Sequence, residues 1–178
     1  NHALTYLMRA LTKEFMSDNT GALEDFSKAF SIHHQNIASN ISNENIFLII
    51  EKVEEIPKGV VFDADLSLIY SSLGISYSKI KDYNNALKCY NIALFINPNF
   101  ILGYNQKAKA KFKLKDYNGA IQDLLKAIKI NPKNINAYSN IGNIKLILKN
   151  YEGAIEYYSK AIELNPKNGV FYYNRGSA

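Results

Sequence analysis

The 178-residue sequence predicts an all-α fold of repeated helical hairpins, on three observations. The chain matches itself at a spacing of 34 residues: Tyr83, Tyr117 and Tyr151 share a column, as do Ala86, Ala120 and Ala154, then Ala93, Ala127 and Ala161, and Pro98, Pro132 and Pro166. Within each copy an apolar stripe of helical period appears, Ala86/Tyr90/Ala93/Leu94, repeated as Ala120/Leu124/Ala127/Ile128 and Ala154/Tyr158/Ala161/Ile162. Each stripe then stops at Asn-Pro (Asn97-Pro98, Asn131-Pro132, Asn165-Pro166), because proline disfavours helical geometry in the residue before it.

A further column, Tyr70, Tyr104, Tyr138 and Tyr172, carries the register into a fourth copy, with Gly74, Ala108, Gly142 and Gly176 four places later. With an aromatic, a small residue, Ala, an aromatic, Ala and Pro at fixed offsets, the chain resembles the tetratricopeptide repeat family, a 34-residue helix-turn-helix. The resemblance implies a right-handed helical-hairpin solenoid, a superhelix with full units at 67–100, 101–134 and 135–168 and a truncated unit at 169–178. The family's opening aromatic is often Trp; here it is always Tyr.

The elements follow in chain order. Gly21-Ala22, Phe26 and Ala29-Phe30 mimic the later second helices, and Tyr6 precedes Ala22 as Tyr70 precedes Ala86, so a degenerate repeat is expected over 1–36. Residues 37–66 match neither the length nor the columns and are expected to form an atypical helical insertion or cap, with a helix from Glu44 to Ile56 stopped by Pro57-Lys58-Gly59. From Ser67 on, Lys-Asp-Tyr or Lys-Asn-Tyr precedes each second helix, with Asp82, Asp116 and Asn150 expected as caps. The stretch Lys107-Ala-Lys-Ala-Lys-Phe-Lys-Leu-Lys115 alternates with period two, as a half-buried strand would, but the repeat register makes it a first helix with Lys107, Lys111 and Lys115 on one face and Lys109 and Lys113 on another.

Composition narrows the function. With 47% hydrophobic and 21% charged residues and few Pro or Gly the chain is built to fold, and no apolar run approaches the length of a membrane span. One cysteine, Cys89, cannot form an internal disulfide, and no secretory leader opens the chain, which favours an intracellular, cytoplasmic home; the opening Asn1 suggests a fragment of something longer. Net charge is +5, but Arg9 and Arg175 are the sole arginines, so the positive charge is mostly lysine rather than forks shaped for phosphate or guanine, which disfavours nucleic-acid recognition.

The search for chemistry points away from an enzyme. His2, His33 and His34 lack neighbours at metal-ligand spacing, Asp63-Ala-Asp65 suits a helix start better than a metal, and Cys89 reads as a small buried hydrophobe. Asn40-Ile41-Ser42 is a glycosylation sequon that matters only in a secreted chain. No phosphate loop or nucleophile elbow is present in the sequence, and neither a cofactor nor a metal is expected.

The family resemblance places ligands on the concave wall formed by first helices. Carried over column by column, it gives Ser72, Gln106, Asn140 and Asn174, with Asn105, Lys109, Lys113, Asn136, Ser139, Asn143 and Tyr173 around them, as a candidate peptide-binding groove. Carboxamides both donate and accept, so such a ladder pairs with the backbone of an extended peptide, and it is similar to the asparagine ladder of O-linked N-acetylglucosamine transferases. A carboxylate clamp of the chaperone-adaptor kind is matched at Asn143 and Asn174 but broken at Ser139. Lys79, Lys109 and Lys113 would make the wall locally positive and suit an acidic segment. The expected role is a non-catalytic adaptor or scaffold binding a partner protein or extended peptide. The alternative is the substrate-recruiting repeat region of a larger enzyme. Self-association through the truncated repeat is a further expectation, since its apolar edge lacks a second helix.

Overall fold

The computed structural model describes Ala64 to Ala178, with side chains from Ser67 on, and before them Thr5, Tyr6, Arg9, Ala10, Lys13, Asp18, Thr20, Gly21, Glu24, Asp25 and Lys28. The expectations for 37–63, for the helix from Glu44 to Ile56 and for His2, His33, His34 and Asp63 lie outside the described residues. From Ala64 onward the chain is helical throughout: α1 (Ala64–Lys79), α2 (Tyr83–Ile96), α3 (Ile101–Lys113), α4 (Tyr117–Ile130), α5 (Ile135–Ile147), α6 (Tyr151–Leu164) and α7 (Gly169–Gly176). No strand occurs among the described residues, and the alternating lysine stretch forms α3 and the turn after it. None of the described helices is long and apolar enough to cross a membrane.

Short polar side chains set the helix starts. Asp82 accepts from the Asn85 N–H (3.2 Å), Asp116 from Gly119 (2.9 Å) and Asn150 from Gly153 (2.9 Å), each satisfying a donor that the first turn leaves unpaired. Asn134 and Asn168 cap α5 and α7 in the same way. The turns before the second helices close as Schellman motifs: Asp116 N–H reaches Lys111 C=O (2.9 Å) and Lys115 N–H reaches Phe112 C=O (3.0 Å), with equivalent bonds at Asp82 and Asn150. The residue at the left-handed position is lysine each time, Lys81, Lys115 and Lys149, with φ of 65°, 63° and 58°. Glycine is the usual occupant there, since a Cβ crowds that conformation.

The chain divides into two compact units, Asn1–Phe100 and Ile101–Ala178. In the first, α1 packs on α2, burying Leu73, Ala86, Cys89, Tyr90 and Ala93. In the second, α3 packs on α4, α4 on α5, α5 on α6 and α6 on α7, and α3 also touches α5, so that successive first helices lie side by side. Its core is Ala108, Ala120, Ile121, Leu124, Ala127, Ala137, Ile141 and Ile144, with a smaller cluster of Ala161, Ile162 and Phe171 beneath α7.

One ionic arrangement occurs twice. Buried Asp123 on α4 lies 2.7 Å from Lys111 Nζ and 3.6 Å from Lys107 Nζ, both on α3. Near the N-terminus buried Asp25 takes two bonds from the Arg9 guanidinium (2.6 and 2.5 Å) and an ion pair from Lys13 (2.9 Å). The two sets are 98 residues apart at every position, and the match extends to Tyr6 and Tyr104, Asp18 and Asp116, Gly21 and Gly119, and Lys28 and Lys126. Lys13 and Lys111 each donate to the glycine carbonyl at 3.3 Å, and Lys28 and Lys126 each sit over the tyrosine ring at 5.9 and 5.8 Å. The hydrogen bonds from Arg9 hold the Asp25 carboxyl below the usual carboxylate range, and burial pulls the Lys107 ammonium below the usual lysine range against the opposing pull of Asp123.

Candidate functional site

The four lysines inside α3 divide by partner. Two helical steps separate Lys107 from Lys109, so consecutive lysines at that spacing cannot share a face. Lys107 and Lys111 turn to Asp123 and are largely covered. Lys109 and Lys113 are exposed, and among the described residues neither has an ion-pair partner. They stand beside a cavity of about 350 Å³ whose lining comes from α3 (Ala108, Lys109, Phe112, Lys113), α4 (Leu124) and α5 (Asn140, Asn143, Ile144). The floor is apolar and the polar groups are two ammonium tips and two carboxamides.

Four sequence-derived candidates, Lys109, Lys113, Asn140 and Asn143, therefore meet at one cavity. Asn140 is exposed. Asn143 is half-buried, and its Oδ1 accepts from the Tyr158 hydroxyl (2.7 Å) and from Asn174 Nδ2 (3.4 Å), so α5, α6 and α7 are tied together at that carboxamide. Asn105 on α3 accepts from Asn134 Nδ2 at 3.4 Å, another bond between successive repeats. Part of the amide capacity along this wall is thus used within the protein. Gln106 and Ser139 are half-buried, Asn136 is exposed, and Tyr173 is exposed to 76%. Ser72 belongs to the other unit and is buried in α1.

Sequence reasoning missed two features. A single acid on a helix otherwise reads as solvated, which hides Asp123; the signal is its spacing from Lys107 and Lys111, repeated 98 residues earlier. The apolar floor was missed because Ala108 and Leu124 look like ordinary core; the signal was that their columns hold Gly and Tyr in the neighbouring repeats. Elsewhere the chemistry is quiet. Burial pushes the Cys89 thiol up to about 12, which suppresses the reactive thiolate. Among the described residues no group of three His, Cys, Asp or Glu side chains could hold a metal.

Comparison with known proteins places this geometry. A family model described as tetratricopeptide repeat matches residues 67–100 and 135–168, and a second, described as TPR repeat, matches 108–146. Among solved structures, the first TPR of Spaghetti (RPAP3) bound to the HSP90 peptide SRMEEVD is 27% identical, with a TM-score of 0.63 over 67% of this chain and 94% of that one. The Arabidopsis OM64 TPR domain is 27% identical, with a TM-score of 0.61 over 64% and 94%. MamA from Desulfovibrio magneticus RS-1 (residues 41 to end) shares the fold at 19% identity, with a TM-score of 0.74 over 99% of this chain and 83% of that one. A comparison with curated protein sequences finds no match.

Proposed function

The chain belongs to the tetratricopeptide repeat family, whose helical hairpins are protein-protein interaction modules, and on that premise we propose that its second unit captures an extended, acidic segment of a partner protein along α3, α5 and α7. The observation that carries the reading is the meeting of Lys109 and Lys113 with Asn140 and Asn143 at one cavity, although they come from different repeats. Ammonium groups without internal acids attract carboxylates, and the exposed Asn140 carboxamide beside them pairs with peptide N–H and C=O groups. The RPAP3 domain bound to an acidic peptide supports the same use of the fold. Its role in capture is non-catalytic, as adaptor or scaffold, and a single buried, unpaired Cys89 suits the reducing cytoplasm in which we place it.

The test is affinity purification from the source cells with the wild-type chain and with Asn140→Ala/Asn174→Ala, prey being identified by mass spectrometry. Loss of prey, with no fall in melting temperature beyond that of losing the single Asn174–Asn143 bond, and capture that weakens steeply with salt, is the expected result. Identical prey on both baits at every salt concentration would remove the groove from the account.

A further inference from the structure

Three hairpins of the same design fill the space between their helices differently. Tyr90 on α2 and Tyr158 on α6 are wholly buried. Each ring lies against a glycine of the preceding helix: a Cβ on Gly74 would come within 2.5 Å of Tyr90 Cε1, and one on Gly142 within 2.8 Å of Tyr158 Cε1. The hydroxyls extend beyond the glycines, to within 3.1 Å of Ser78 Oγ and 2.7 Å of Asn143 Oδ1. At the equivalent positions of the middle hairpin the pair is Leu124 and Ala108. Leucine ends where a phenol would continue, and the cavity of about 350 Å³ opens beside that pair, lined also by Phe112 and Ile144.

Resting on the groove reading above, we propose that this cavity is a specificity pocket for one aromatic side chain of the bound segment, which takes the place of the ring that α4 lacks, while acidic side chains two residues away reach Lys109 and Lys113. The chemistry of each part fits. An apolar floor holds water poorly and favours an apolar occupant. The uncompensated ammonium groups are one helical turn apart, roughly 6 Å. An extended peptide presents residues i and i+2 on the same side at about 6.6 Å, so an acid two positions from the ring meets the rim when the ring is in the floor. Two separated cations match acids within a chain better than they match a single terminal carboxylate.

The probe is a nine-residue peptide blocked at both ends, Gly-Ser-Asp-Gly-Phe-Gly-Glu-Ser-Gly, with a partner in which Phe is Ala and another in which Asp and Glu are Asn and Gln. Binding is followed by amide chemical-shift titration of the full chain. The expected result is shifts confined to α3, α4 and α5, an affinity about tenfold lower for the Ala peptide, and a weaker, salt-insensitive response to the neutral one. The double variant Ala108→Gly/Leu124→Tyr, which rebuilds the neighbours' pair, should keep its melting temperature and lose the preference for Phe over Ala. Lys109→Gln/Lys113→Gln, a surface change that leaves the core alone, should lose the preference for acidic over neutral peptide. Equal binding of the Phe and Ala peptides overturns the pocket while leaving the groove reading intact. No binding by any of the three also overturns it, and the groove then stands or falls on the Asn140 and Asn174 variants.

Discussion

Hairpins α3–α4 and α5–α6 have the same helix lengths and the same turn, yet they solve the interior by opposite means. In α5–α6 a glycine lets a tyrosine ring pass between the helices, so the protein fills its own space. In α3–α4 the helices meet through Ala108 and Leu124, and an aspartate holding two lysines occupies positions where α1–α2 carries Leu73, Tyr77 and Cys89. The difference teaches that this repeat tolerates changes in what lies between its helices as long as small and large residues stay matched across a hairpin. A mismatch costs core energy; a matched smaller pair leaves a cavity.

The largest expected effect comes from breaking that matching. Tyr158→Leu leaves a hole over Gly142 and should lower stability by about 2–4 kcal/mol in urea denaturation. Gly142→Ala pushes a methyl into the ring and should cost about 1–3 kcal/mol. The double variant recreates the Ala–Leu pair of α3–α4 and should be no less stable than the better single variant, a coupling of about 1–3 kcal/mol. Additive losses in the double variant would break the comparison, because the two hairpins would then not be interchangeable solutions.

A smaller effect separates stability from specificity at Asp123. Its removal as Asp123→Ala leaves two largely covered lysines without their shared acid and should cost about 2 kcal/mol. Replacing the whole set by its counterparts, Lys107→Leu/Lys111→Tyr/Asp123→Cys, should restore stability to near wild type, since desolvating the charges offsets much of their attraction. If the triple variant is as weak as Asp123→Ala in the same denaturation experiment, the ionic set contributes net stability and the α1–α2 pattern is not its equivalent.

How much of this the sequence disclosed depends on whether a feature repeats at 34 residues. The helices, the Asn-Pro stops and the caps at Asp82, Asp116 and Asn150 were legible because each constraint returns in every copy and each residue type has an intrinsic preference for its place. Asp123 was not, because its partners repeat only at 98 residues, outside the main register, and because burial of a charge depends on tertiary contacts that no local pattern encodes. Of the candidate groove, the columns located Lys109, Lys113, Asn140 and Asn143 but not the floor between them, since an apolar residue one size smaller than its neighbours looks like core until the space around it is seen. Ser72 shows the same limit: it shares a column with Gln106 and Asn140 yet is buried.

The smallest effect concerns the turn both hairpins share. Lysine has no preference for the left-handed region, so nothing in the sequence marks Lys81, Lys115 and Lys149 as residues at positive φ. Lys115→Gly removes the crowding at Cβ while allowing the unfolded chain more freedom, and the balance at a Schellman position favours glycine by up to about 1 kcal/mol. Lys149→Gly should give the same gain, because the same two backbone bonds surround it, Lys149 N–H to Leu146 C=O (3.0 Å) and Asn150 N–H to Lys145 C=O (2.9 Å). Equal small increases in urea midpoint would show that the turn energetics are independent of what fills each hairpin. A gain at Lys149 alone would mean that Lys115 contributes through its charge, next to the cationic face of α3, and that the two turns differ as the two interiors do.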